Sequence, residues 1–151
     1  RIGQELAKKA YALGMKIIYT DVLGPTKEYS NYTFVSLDQL LADSDFISLH
    51  IPGNENESPL IGETEFAKMK DGVYIINCAR GNVIDEDALL NALNSGKLSG
   101  AGLDVFREEP CKNLKLINHK KVSVTPHIGA STKEAQKRIG QEIISIIQEN
   151  F

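Results

Sequence analysis

Apolar and polar positions alternate along this chain in two rhythms. Leu6, Ala7, Ala10 and Leu13 recur at helical spacing, and Gly14 follows as a helix end. Lys16 to Tyr19 is a short β-rich run that leads to Asp21. Ser36-Leu37-Asp38-Gln39 has the form of a capping box and predicts a short helix toward Ala42. Phe46 to Leu49 predicts a strand of the buried type, broken by Ile51-Pro52-Gly53, and Thr64 to Met69 predicts a short helix. Val73 to Asn77 is another apolar strand. Asp85 then stands as an N-cap, Ala88, Leu89, Ala92 and Leu93 line one helical face, and Gly96 ends it. Gly100 to Val105 and Val122 to Thr125 supply two further strands. Ser131-Thr132-Lys133-Glu134 repeats the capping-box form, and Ala135, Ile139, Ile143 and Ile147 follow at steps of four. Leu23 to Thr33 is the least regular stretch, and Asn54 to Pro59 reads as a polar loop. Short apolar strands separated by amphipathic helices predict an α/β fold: a parallel sheet covered on both faces.

Composition narrows the function classes. The chain has 151 residues, enough for one domain, with 42% hydrophobic and 25% charged residues. Its net charge of -3 leaves no basic surplus to neutralise phosphates, so a nucleic-acid partner is not expected. No apolar run reaches the roughly 20 residues that span a bilayer, and no membrane partner is expected either. Two cysteines make neither a disulfide framework nor a zinc site, which points to a reducing, cytoplasmic setting and no metal. The chain opens on Arg1-Ile2-Gly3-Gln4, which reads as the start of a helix with no strand before it. The expectation is a domain taken from a longer protein, preceded by an apolar strand and a Gly-x-Gly.

Ligands of open parallel sheets bind beyond the carboxyl ends of the strands. Polar groups follow nearly every strand here: Asp21, then His50-Ile51-Pro52, then Cys78-Ala79-Arg80-Gly81, then Asp104, then Pro126-His127-Ile128-Gly129. A cleft gathers such residues better than chance does. Gly3 fits the last glycine of a dinucleotide loop, where pyrophosphate meets a helix N-terminus. Asp21 lies near the interval of about 20 residues expected for a ribose-binding acid, whose charge favours NAD over NADP. Arg80 can grip a carboxylate with two parallel hydrogen bonds. His127 can exchange a proton with a hydroxyl, and Glu109 can pair with that imidazole. Each residue alone has an ordinary alternative: helix packing for Gly3, a turn for Asp21, a surface ion pair for Arg80, a structural histidine, a solvated acidic loop.

Together the residues form a known pattern. Asn77-Cys78-Ala79-Arg80-Gly81-Asn82-Val83-Ile84-Asp85 resembles the arginine motif of the D-isomer-specific 2-hydroxyacid dehydrogenases. Gly102-Leu103-Asp104-Val105-Phe106, running into Glu109-Pro110, resembles the glutamate motif, and Thr125-Pro126-His127-Ile128-Gly129 the histidine motif. Order and spacing agree, and Arg1-Ile2-Gly3 matches the end of the family's glycine loop. The resemblance implies a Rossmann-type doubly wound parallel sheet, here lacking its first strand, and NAD-dependent interconversion of a 2-hydroxy acid and a 2-keto acid. It assigns the substrate carboxylate to Arg80, acid–base chemistry to His127 and support of that imidazole to Glu109. Asp21 would bind the adenosine ribose and Asp104 the nicotinamide carboxamide. Arg1, Ile2 and Gly3 would lie along the pyrophosphate. The remaining cofactor contacts would come from His50, Ile51 and Pro52, from Cys78, Ala79 and Arg80, and from His127, Gly129 and Ala130. Gly129-Ala130-Ser131-Thr132-Lys133-Glu134-Ala135-Gln136 is similar to the branch acting on 3-phosphoglycerate in serine biosynthesis. Members are dimers or tetramers, so a homodimer or homotetramer is implied. A corepressor-like NAD-responsive module of the same superfamily and a dehydrogenase for another D-2-hydroxy acid are the competing readings.

Overall fold

Parallel strands joined by right-sized helical crossovers give this chain its architecture, seen in a computed structural model that describes residues 1–26, 31–53 and 58–150. Helix α1 (Ile2–Ala12) leads to strand β1 (Ile18–Tyr19), which pairs with β2 (Thr33–Phe34). Helix α2 (Leu37–Asp43), strand β3 (Phe46–Leu49), helix α3 (Glu63–Lys68) and strand β4 (Val73–Asn77) follow. A 3-10 turn (Gly81–Val83) precedes α4 (Glu86–Ser95), β5 (Leu98–Leu103), α5 (Leu114–Ile117), β6 (Val122–Val124) and α6 (Lys133–Asn150). The strands form two parallel sheets, β1-β2 and β3-β4-β5-β6, rather than one. Strand β2 lies at the end of the stretch that reads as irregular, because a two-residue strand is too short to carry a periodicity. Residues 27–30, within that stretch, and 54–57, most of the polar loop, lie outside the described residues.

Local signals place most element ends. Ser36 Oγ accepts from Gln39 N at 3.2 Å, but the Gln39 amide turns to Asp43 Oδ2 at 2.5 Å, so half of the expected capping box forms. Asp85 Oδ1 caps α4 by accepting from Asp87 N and Ala88 N, at 3.0 and 2.9 Å. Gly96 ends that helix at φ 84, a left-handed conformation that costs glycine nothing. At α6 the cap is Thr132, whose Oγ1 accepts from Ala135 N at 3.1 Å. The neighbouring Ser131 hydroxyl instead donates to His127 O at 3.4 Å.

The core lies on one face of the four-stranded sheet. Ile47, Leu49, Val73, Ile75, Leu98 and Leu103 point into it, and Leu41, Phe66, Leu89, Leu93 and Leu116 of α2 to α5 close over them. Burial alternates along β3 and β4, as the two-residue repeat of a strand requires. Parallel strands with intervening helices bear out the α/β reading, and the other face of the four-stranded sheet is the more open one. Phe46 and Tyr74 stack there with ring centroids 5.2 Å apart and remain 54% and 44% exposed. Helices α1 and α6 bury no residue, and Ile139, Ile143 and Ile147 of the apolar stripe stay exposed. A stripe at steps of four records that a helix has an apolar side; it does not record what lies against it.

These burials predict two unlike substitutions. Ile75→Ala, in the centre of the core, is expected to destabilise the chain by about 2–5 kcal/mol in denaturant unfolding. Ile147→Ala, on the exposed stripe of α6, is expected to change it by less than about 0.5 kcal/mol. Equal losses would contradict this difference in burial.

Candidate active site

The register of the large sheet brings its strand ends into line. Leu49, Asn77, Leu103 and Val124 are successive neighbours across β3 to β6. The residues that follow them, His50, Cys78, Asp104 and Thr125, therefore leave the sheet side by side. Hydrogen bonds carry the alignment one residue further, from Asp104 N to Asn77 O and from Thr125 N to Leu103 O, both 3.0 Å.

Arg80 is set by its own turn. Asn77 is buried, and its side chain bridges the turn: Oδ1 accepts from Ala79 N at 3.0 Å and Nδ2 donates to Arg80 O at 2.9 Å. Asn77 stands in the arginine motif but has no readable role from sequence, since an asparagine ending an apolar run looks like any strand-terminating residue. Arg80 itself is exposed and spends one N–H on Ala79 O at 2.6 Å. Its other guanidinium donors have no protein partner among the described residues. The next residue, Gly81, must be glycine. A Cβ there would fall 1.9 Å from both the carbonyl carbon and the oxygen of Phe106. The arginine turn thus lies flat against the loop after β5.

That loop carries Glu109. Glu109 Oε1 accepts from Phe106 N at 3.1 Å, and Oε2 pairs with His127 Nδ1 at 2.7 Å. The hydrogen bond from His127, helped by the Phe106 amide, holds the Glu109 carboxyl below its ordinary range. The Glu109–Pro110 peptide is cis. His127 has φ 54, a left-handed conformation uncommon for a side chain of this size, and backbone strain of this kind collects at functional sites. Asp104 supports it. Buried at 5% exposure, its Oδ1 accepts from the Thr125 hydroxyl and from Ile128 N (2.9 Å), and its Oδ2 from Gly129 N (3.1 Å). Burial disfavours the charged carboxylate, but these donors outweigh it and hold Asp104 below its ordinary range.

The other expected site residues fall as follows. Gly3 packs under His50: a Cβ at Gly3 would lie 3.1 Å from the imidazole. His50 Nε2 shares a hydrogen bond of 2.9 Å with Ser48 Oγ, and partial burial pushes the imidazole below its ordinary value. Ile51 and Pro52 are exposed in the loop beyond. The Arg1 guanidinium pairs with Glu142 of α6 at 2.9 Å. Asp21 is exposed, and its Oδ1 accepts from Leu23 N at 2.9 Å in a turn. Asp104 is engaged with the 125–129 loop, a supporting role that motif reading did not assign. Ala130 O accepts from the Gln136 amide at 2.6 Å. Both cysteines are free thiols.

The arrangement brings together a guanidinium and an imidazole that each keep donors or acceptors without a partner among the described residues, and a carboxylate that keeps that imidazole oriented. Its electrostatics set a pH dependence. Asp104 and Glu109 both sit below their unfolded values, so the unfolded chain takes up protons first as pH falls. Stability is therefore full above the ordinary carboxylate range and is lost as pH drops through the depressed folded values. Asp104→Asn is expected to make that acid slope shallower in unfolding titrations. It should also cost about 1–3 kcal/mol at neutral pH, because a buried acceptor becomes a donor facing other donors. An unchanged acid slope would remove Asp104 from this account.

Comparison with known proteins fits this geometry. Residues 1–129 match the family model of the D-isomer specific 2-hydroxyacid dehydrogenase, NAD binding domain. The chain is 50% identical over 149 residues to the hydroxypyruvate reductase of Thermotoga maritima, covering 97% of this chain and 48% of that protein. It is 45% identical over 150 residues to D-3-phosphoglycerate dehydrogenase 2, chloroplastic, of Arabidopsis thaliana, covering 97% of this chain and 24% of that protein. It superposes with TM-score 0.85 and 39% identity on D-lactate dehydrogenase from Aquifex aeolicus, solved in complex with NAD and lactic acid, covering 97% of this chain and 49% of that one. The chain spans half or less of the length of these relatives. Sheet order, parallel strand ends and the arginine, glutamate and histidine motifs agree with this match, and the chain belongs to the NAD-binding domain family of the D-isomer-specific 2-hydroxyacid dehydrogenases.

Proposed function

We propose that this chain is the cofactor-binding part of a dehydrogenase that interconverts a D-2-hydroxy acid and a 2-keto acid, and that the substrate pair is 3-phosphoglycerate and 3-phosphohydroxypyruvate. The observation that carries the reaction is the Glu109–His127 pair at 2.7 Å, held at the same sheet end as Arg80. The open strand ends, with Gly3 pressed under His50 and no side chain on Gly129, fit an extended dinucleotide. When bound, NAD supplies the hydride exchange at C2 of the substrate.

The chain's own residues do the rest. Arg80 binds the substrate carboxylate through the guanidinium donors that Ala79 O leaves over, a geometry suited to two parallel bonds. His127, anchored at Nδ1, gives a proton from Nε2 to the carbonyl oxygen during reduction and takes it back from the hydroxyl during oxidation. Glu109 stays ionised and keeps the imidazole oriented between those events. Asp104 keeps the loop that carries His127 in place. Asp21 receives the adenosine ribose and repels a 2′-phosphate. The 3-phosphoglycerate reading is supported by Gly129 to Gln136 and by the phosphoglycerate dehydrogenases among the relatives. The hydroxypyruvate reductase match supports a second reading, in which the C3 oxygen of the keto acid carries no phosphate.

The full-length protein is expected to reduce 3-phosphohydroxypyruvate with NADH faster than hydroxypyruvate; the opposite order would select the second reading. His127→Ala is expected to lower kcat by about a hundredfold to ten-thousandfold with little change in NADH affinity. NADH binding without turnover of any keto acid would replace the enzyme by a cofactor-responsive binding module. NADH is expected to be preferred over NADPH, and Asp21→Ala to narrow that preference in steady-state assays. The homodimer implied by the family is checked by light scattering of the same protein.

A further inference from the structure

The Phe106–Arg107 peptide is held by two contacts. It lies against Gly81, where a Cβ would come 2.5 Å from Arg107 N. Arg107 N also donates to Glu86 Oε1 at 2.9 Å. Glu86 is the first residue of α4, yet it does not cap the helix; Asp85 does that. Its second oxygen, Oε2, accepts from Asn113 Nδ2 at 3.2 Å. Asn113 is committed in turn, because its Oδ1 accepts from Leu116 N at 3.2 Å and caps α5, whose Leu116 is fully buried. One carboxylate therefore ties down both ends of the segment from Arg107 to Asn113, and Glu109 lies inside that segment. The adjacent amide, Phe106 N, is the donor that orients Glu109 toward His127.

We propose that Glu86 is a positioning residue for the acid–base pair: by holding Arg107 N and Asn113 together it fixes where Glu109 meets His127 relative to the arginine turn. The inference rests on the dehydrogenase reading above and adds to it a residue outside the arginine, glutamate and histidine set. The charged groups that surround the segment are Glu108, Arg107 and Lys112 beside Glu86, and Asp104 beside Glu109 and His127. Glu108 and Lys112 pair with each other, so they do not compensate Glu86. Without Glu86, the Arg107 amide and the Asn113 amide lose their acceptor, the segment loosens, and the Glu109 carboxylate no longer stands constantly against the imidazole.

The test uses the full-length protein and compares Glu86→Gln, Glu86→Ala and the exposed neighbour Asp87→Ala. Glu86→Gln keeps an acceptor for Arg107 N and loses the one for Asn113, so it should fall between wild type and Glu86→Ala. In Glu86→Ala, kcat is expected to fall about tenfold or more with KM for NADH unchanged. The acid limb of the kcat/KM profile that reports Glu109 is expected to move to higher pH, toward the ordinary carboxylate range, as the hydrogen bonds that depress it weaken. Asp87→Ala is expected to keep wild-type rates and profile. A pH profile in both Glu86 variants that superimposes on wild type would overturn the proposal, whatever happens to thermal stability. A wild-type protein with no activity on any keto acid would sink the dehydrogenase reading instead, and the two failures are distinct.

Discussion

A buried carboxylate with three donors around it is the constraint on which this site depends. Asp104 leaves β5 in the middle of the sheet, where water is scarce, and an ionised acid there is tolerable because Thr125, Ile128 and Gly129 all donate to it. Those three residues surround His127. The carboxylate therefore supplies the energy that keeps a histidine in a left-handed backbone conformation. Remove the charge, and nothing in the sequence of the loop itself would choose that conformation for a non-glycine residue.

From this anchor the site extends by short, directional contacts. His127 reaches Glu109, Glu109 reaches the Phe106 amide, and the Phe106 backbone meets Gly81 beside Arg80. Residues distant in the chain become neighbours because parallel strands in register deliver their ends to one line. Function and fold meet at the strand ends: the sheet sets the spacing, and the turns decide which atoms face outward.

What the amino-acid order discloses follows from the range of the forces involved. Caps at Ser36, Asp85 and Gly96 were readable because a cap is settled within four residues. The strands before Arg80, Asp104 and His127 were readable because apolar runs of strand length are self-evident, and motif spacing linked them. The short helix α5 and strand β2 escaped, since neither is long enough to complete a period. Gly81 stood in the motif as a letter, and its reason is the backbone of a loop 25 residues further on, which no local pattern contains. Asn77 and Glu86 are similar cases. Both are polar side chains of ordinary appearance whose partners are chosen by tertiary structure. The exposed stripe of α6 is the complementary case: Ile139, Ile143 and Ile147 define a side of that helix without defining its neighbour.

The contact at Gly81 has a mechanical consequence. With a backbone carbonyl where a methyl group would stand, the turn that carries Arg80 and the loop that carries Glu109 have no room to slide past each other. They are one rigid jaw. Any relative motion near these strand ends must then come from something else moving against this jaw, so the spacing of Arg80 and Glu109 stays constant.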